Sequence, residues 1–196
     1  MNLIIIAGMP ATGKSTLARK LSAALGLPIL EKDEIKEEMF DTLGYADLTA
    51  KRALDNAANA ILLRCTESVL KNGNSLIAVN NFPKDMSDRV QNMIDRTGAN
   101  CVTVFLNGDG DVLHARYIAR DRQKVRHQGH TFIDRYPPQE GDVTDNDMTR
   151  EYFADRFEKS GMAEFRVSGA RIDVDATYPE RIDVEGLVAE IKKHWK

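Results

Sequence analysis

Eight consecutive residues, Gly8-Met9-Pro10-Ala11-Thr12-Gly13-Lys14-Ser15, satisfy the spacing G-x-x-x-x-G-K-[ST]. Glycines Gly8 and Gly13 stand where a side chain would block an anion or strain the turn. The intervening backbone N–H groups can then point into one concavity that cradles phosphate oxygens. Lys14 supplies an ammonium group for the outer phosphates, and the Ser15 hydroxyl is the right ligand for Mg²⁺. Thr16 follows as an outer phosphate contact. The chemistry implied is the binding of ATP with Mg²⁺, cradled by residues 8–16. The competing reading is an ordinary glycine-containing turn with Lys14 as a solvated charge. The flanks argue against it, because Leu3–Ala7 is an apolar, β-branched strand run and Leu17, Ala18, Leu21, Ala24 and Leu25 recur at helical spacing. A helix that begins near Lys14 adds its positive dipole end to the same spot.

Three further groups of residues could do chemistry. Glu31-Lys32-Asp33 follows the short strand Pro28-Ile29-Leu30. In open α/β sheets ligands sit beyond the carboxyl ends of the strands, so Asp33 falls on the rim of the phosphate loop. It is equally well placed to cap a helix over Glu34–Leu43. Asn80-Asn81-Phe82-Pro83 leaves the strand Ser75–Val79 on that rim, where Asn81 and Phe82 are candidate acceptor contacts. The amides could equally be turn formers. Asp111–His130 concentrates Arg116, Arg120, Arg122, Lys124, Arg126, His127 and His130 in a chain whose net charge is −3. Arginine's planar fork suits phosphate oxygens, whereas a solvated helix face is the plain alternative. His127 and His130 lack a third ligand at metal spacing.

The elements that must position these groups alternate along the chain. A helical pattern over Ala46–Asn72 carries Leu54, Ala58, Ile61, Leu62, Cys65 and Val69 on one stripe, and a further helix spans Asp85–Arg96. Cys101–Leu106 reads as a strand, Asn107–Gly110 as a turn, Arg171–Asp175 as a last strand and Val184–Lys193 as a last helix. Alternation of this kind predicts a parallel sheet with helices on both faces, in one α/β domain over residues 1–196. Thr131–Thr149 is polar, acidic and proline-bearing and reads as a mobile excursion. With the basic segment it forms a lid over about residues 114–148.

The balance of 42% hydrophobic and 29% charged residues is that of a soluble globular protein. An acidic chain argues against a dedicated nucleic-acid binder, and the N-terminal apolar run is too short for a membrane span. The two cysteines, Cys65 and Cys101, are expected as buried free thiols, in keeping with a reducing cytoplasm.

Together GMPATGKSTLARKL, EKDEIKEEMFDTLG, NNF, RYIARDRQKVRHQGH and RIDVDATYPERIDVEGLVAEI resemble the small P-loop kinases, the group that includes nucleoside-monophosphate, shikimate and gluconate kinases and chloramphenicol phosphotransferase. The likeness spans nearly the whole chain. It implies a three-layer P-loop fold with strand order 2-3-1-4-5 and transfer of the γ-phosphoryl of ATP to a hydroxyl or phosphate of a small-molecule acceptor. Asp33 would take the acceptor's proton and share Mg²⁺ with Ser15. Arg116 would stack near adenine, beside Ala176 and Thr177, and Arg120 would grip the transferred phosphoryl group with Arg126. One departure stands out: related kinases often carry an acidic residue at the end of the third strand, and this chain has Val79-Asn80-Asn81. The rival functions are a nucleotide-responsive module without a small-molecule acceptor and a kinase of nucleic-acid ends. The absence of a water-positioning glutamine counts against the first, and the acidic charge against the second.

Overall fold

The computed structural model describes residues 1–123, 126–132, 134–142 and 148–195. Five parallel strands form one sheet in the order β2-β3-β1-β4-β5. They are β1 (Asn2–Gly8), β2 (Ile29–Glu31), β3 (Leu76–Val79), β4 (Asn100–Asn107) and β5 (Ala170–Asp175). The helices are α1 (Lys14–Leu25), α2 (Lys32–Leu43), α3 (Leu48–Lys71), α4 (Ser87–Thr97), α5 (Gly110–Arg122), α6 (Gln128–Thr131), α7 (Arg150–Ser160) and α8 (Val184–Lys193). The expected sheet, its order and its two helical layers are all present.

Alternation along β1 explains the layering. Leu3, Ile5 and Ala7 face a core shared with Leu62 and Leu70 of α3 and Val90, Met93 and Ile94 of α4. Ile4 and Ile6 face the opposite core, built with Leu17, Ala18 and Leu21 of α1 and Leu187 and Ile191 of α8. A central strand covered on both sides must be apolar at every position, and β1 is buried throughout. Its burial fixes the height at which the loop after Gly8 emerges.

Gly8 itself is tightly constrained. Its φ of 127° is a glycine conformation, and a Cβ would lie 2.0 Å from the Leu106 carbonyl oxygen of β4. Gly8→Ala is therefore expected to cost about 3 kcal/mol or more, read as a large drop in Tm, because neither strand can move without opening the sheet. A Tm within 2 °C of the parent would contradict this packing.

Three sequence expectations need correction. The helix after β2 starts at Lys32 with Glu31 at its N-cap, so Asp33 lies in the first turn and does not cap it. Cys101 is buried, but Cys65 is exposed, because α3 turns Ala58, Leu62, Thr66 and Leu70 inward and leaves Ile61 and Cys65 outside. The excursion after His130 is partly docked. Tyr136 exchanges two backbone hydrogen bonds with Tyr45 (2.8 and 2.9 Å), and its hydroxyl donates to Asp41 (2.7 Å). The Tyr45 hydroxyl donates to the Gly129 and Phe132 carbonyls (2.9 and 2.7 Å). Val143–Asp147, Lys124, Val125 and Ile133 lie outside the described residues.

Candidate active site

The loop between β1 and α1 runs over the carboxyl end of the sheet. Ala11 takes a positive φ of 62°, a strained setting for a residue with a Cβ, as expected where a loop is shaped for a ligand. Thr12 is fully buried, and its hydroxyl donates to the Met9 carbonyl (2.7 Å) within the loop. Met9 is buried with Leu113, Tyr117, Met148 and Phe153, which ties the loop to α5 and α7. This leaves the loop's backbone, Lys14, Ser15 and Thr16 beside the cavity.

A cavity of about 430 Å³ opens beside it. Its lining brings together Pro10, Ala11, Gly13, Lys14, Ser15 and Thr16 of the loop and α1 with Asp33, Asn81, Arg116, Arg120 and Arg126. The structure adds Glu31, Tyr117, Met148, Phe153, Arg156, Phe157 and Met162, none of which the sequence singled out as cavity residues.

Within it the Lys14 ammonium donates to the carbonyls of Gly8 (3.1 Å) and Met9 (2.7 Å). Burial pulls its pKa down to about 7, with nearby Asp33 acting the other way. Phosphate oxygens beside it would restore the charged form. The Ser15 hydroxyl donates to the Glu31 carboxylate, whose pKa burial raises.

Asp33 keeps 44% of its side chain open to the cavity. Burial pushes its pKa up, but the groups around it more than reverse this, Lys32 foremost at 3.3 Å, then His130, Arg126 and Lys36, and hold the carboxyl well below the usual carboxylate range. Lys32 and Lys36 are nearly buried and both bind Asp55 Oδ1 of α3, at 2.8 and 2.5 Å. Asp55 thereby anchors the lysine that keeps Asp33 ionised.

Arg116 commits its guanidinium to main-chain carbonyls: Ala11 (2.8 Å), Thr177 (2.6 Å) and Ala176 (3.4 Å). It straps the loop to the segment after β5. Arg120 and Arg126 flank the buried Asp121 at 3.9 and 3.8 Å and both lie over the Tyr117 ring. Asn80 is spent inside the protein, donating to Asn59 (2.8 Å) and accepting from the Asn81 amide (2.7 Å). Phe82 is a correction. Its φ of 51° turns the ring into the core, where it stacks on Phe165 at 5.1 Å and is 1% exposed, so it does not line the cavity.

The two histidines belong to the clasp between α2 and the segment that follows α5. His127 Nε2 lies 3.0 Å from Asp41, and His130 Nε2 lies 2.9 Å from Glu37. Gly129 permits this approach, since a Cβ there would sit 2.2 Å from the Phe40 ring. Burial lowers the His130 pKa from 6.5 to about 4. The unfolded chain therefore binds the extra proton first, and stability should fall as pH drops from about 6.5 towards 4. The loss should approach about 2 kcal/mol between pH 7 and 5. Denaturant titrations at both pH values should show it in the wild type and a flatter response in His130→Gln; equal slopes would contradict the burial argument.

The AAA domain family model matches residues 3–138, more than half of the chain and including the loop, Asp33 and the clasp. The chain belongs to the AAA domain family. Within this AAA domain protein, the strand order and the loop are those of the small P-loop kinases. Its sequence matches no curated protein. Along its full length it resembles a crystal structure from Chloroflexus aurantiacus described as a candidate kinase, with 32% identity, 100% of this chain and 98% of that chain covered, and a TM-score of 0.83. Shikimate kinase from Aquifex aeolicus (15% identity, 98% and 95% covered, TM-score 0.55) shares the fold. So does a gluconokinase from Sinorhizobium meliloti (14%, 98% and 90%, TM-score 0.52). The likeness to the Chloroflexus aurantiacus structure marks the AAA domain protein as a kinase. Among its described residues, no helix is long and apolar enough to cross a membrane.

Proposed function

We propose that this protein moves the γ-phosphoryl group of ATP to a hydroxyl of a small-molecule acceptor. The observation that carries the reading is the convergence of Lys14, Ser15, Asp33, Arg120 and Arg126 on one cavity. Phosphoryl transfer asks little covalent chemistry of a protein; it needs in-line positioning and positive charge around the moving group. Residues 8–16 hold the triphosphate through backbone N–H groups, with Lys14 on the outer phosphates. Arg116 borders the base while bracing the loop, and Arg120 with Arg126 meets the charge on the transferred group. Asp33, ionised at neutral pH, accepts a hydrogen bond from the acceptor hydroxyl and takes its proton as the new P–O bond forms and the bond from the γ-phosphorus to the β–γ bridging oxygen breaks, releasing ADP. Asn81 borders the acceptor.

The donor set fits Mg²⁺, which prefers a few oxygen ligands and keeps most of its waters. Ser15 and the two carboxylates Glu31 and Asp33 stand together at the loop, and Glu31, hydrogen-bonded to Ser15, stands in for the acidic residue missing after β3. When bound, Mg²⁺ would neutralise part of the charge on the triphosphate. The described residues Arg116, Tyr117, Arg120, Arg126 and Met148 of the segment from about 114 to 148 border the cavity, the position of a lid that keeps water from the phosphates. The free thiols Cys65 and Cys101 are compatible with a reducing cytoplasm.

A thermal-shift screen of hydroxyl metabolites with Mg²⁺ and a non-hydrolysable ATP analogue tests this reading. An acceptor should raise Tm beyond the nucleotide's own effect. Slow ATP hydrolysis that no metabolite stimulates would instead favour a nucleotide-responsive module.

A further inference from the structure

The inward face of α2 is not what packing alone would select. A helix ordinarily buries apolar side chains at i and i+4, yet the most buried residues of α2 are Lys32, Lys36 and Phe40, with each lysine only 8% exposed. Both ammonium groups meet one oxygen of α3, Asp55 Oδ1, at 2.8 Å from Lys32 and 2.5 Å from Lys36. Lys32 also reaches Asp33 Oδ1 at 3.3 Å.

Stability does not account for this cluster. Desolvating buried ions costs about as much as their attraction returns, and apolar residues of similar volume commonly serve as well or better. The cluster is distinguished by where it ends. Asp33 lines the cavity beside Lys14 and Ser15, whereas Lys32, Lys36 and Asp55 stand behind it, outside the lining.

We infer that Asp55 is a positioning residue for phosphoryl transfer: it holds the Lys32 ammonium to the α3 side of Asp33, so that one carboxylate oxygen is fixed and the other is presented to the acceptor hydroxyl. This rests on the kinase reading above, in which Asp33 takes the acceptor's proton. Lys32 lies closer to Asp55 than to Asp33, which restrains it from a tight ion pair with the base. Lys36, bound to the same oxygen, keeps Asp55 turned towards α2. Without Asp55, the Lys32 ammonium would close on Asp33 and compete with the hydroxyl for it.

The test reads ADP release from Mg²⁺–ATP, with water alone and with glycerol added as a hydroxyl probe. The proteins are the parent, Asp55→Asn, Asp55→Glu and the apolar triple variant Lys32→Met/Lys36→Leu/Asp55→Leu. Asp55→Asn should lower kcat by about 10- to 100-fold and leave the ATP KM within about two-fold, because the phosphate loop is untouched. Asp55→Glu should recover part of the loss. Asp55→Asn also leaves buried ammonium groups short of a carboxylate and should lower Tm, so the triple variant separates positioning from packing. Its Tm should match or exceed the parent's while kcat stays at least about 10-fold down. Parent-like kcat in Asp55→Asn, a triple variant that regains turnover together with Tm, or one that no longer folds would each make the cluster a packing device and overturn the inference. Turnover by the parent would leave the kinase reading standing in all three cases. A parent protein that binds no ATP, or releases no ADP under either condition, would remove the kinase reading and the inference together.

Discussion

Lys14→Ala is expected to weaken ATP binding by about 100-fold and to lower turnover by about 1,000-fold. The amine is the one charge seated inside the loop, and it donates only to the Gly8 and Met9 carbonyls. Charge-assisted contacts to phosphate are among the strongest a side chain makes. The fold should survive. Burial already disfavours the charged amine, as its pKa near 7 records, so removing it relieves a desolvation cost while giving up two hydrogen bonds. Paired measurements separate the two effects: the nucleotide Kd and kcat should collapse while Tm changes by no more than a few degrees. Parent-like ATP turnover in a folded Lys14→Ala protein would remove the loop from the mechanism.

Asp33→Asn should have the opposite pattern. ATP affinity should stay within about three-fold of the parent, because the loop amides and Lys14 remain, whereas transfer to the acceptor should fall by 100- to 10,000-fold through loss of the proton acceptor. Structural collapse is not expected, since Lys32 keeps its 2.8 Å bond to Asp55 when the carboxylate of residue 33 becomes an amide. Single-turnover assays with a bound acceptor are the measurement. Undiminished transfer would exclude Asp33 as the base, even with nucleotide binding intact.

The legible part of this protein was whatever local periodicity and spacing determine. The strand–loop–helix around Gly8–Ser15, the five-strand alternation and the last helix over Val184–Lys193 follow from apolar period and glycine placement. What was not legible depends on approach between distant segments. Glu31 gains its significance only because α1 brings Ser15 against the end of β2. Arg156 and Phe157 lie on α7, the helix before β5, and only the fold carries that helix to the cavity. Phe82 was misplaced because a positive φ, unusual for phenylalanine, sends its ring into the core instead of towards a ligand. Cys65 was misplaced because a 24-residue helix offers neighbouring stripes, and the one through Ala58, Leu62 and Thr66 is buried. The polar composition of Thr131–Thr149 signalled mobility, yet Tyr45, Asp41 and Phe40 tie Phe132 and Tyr136 to α2 and the loop after it. A glutamate at the end of a short strand, two residues before Asp33, was the available signal for Glu31, and an arginine three residues after Phe153 was the signal for Arg156.

The central claim is that the Gly8–Ser15 loop holds a triphosphate. Isothermal titration with Mg²⁺–ATP tests it most directly. The account predicts saturable one-to-one heat in the parent protein and its disappearance in Lys14→Ala over the same concentration range. A parent protein that gives no heat with either ATP or GTP, while remaining folded, would contradict it.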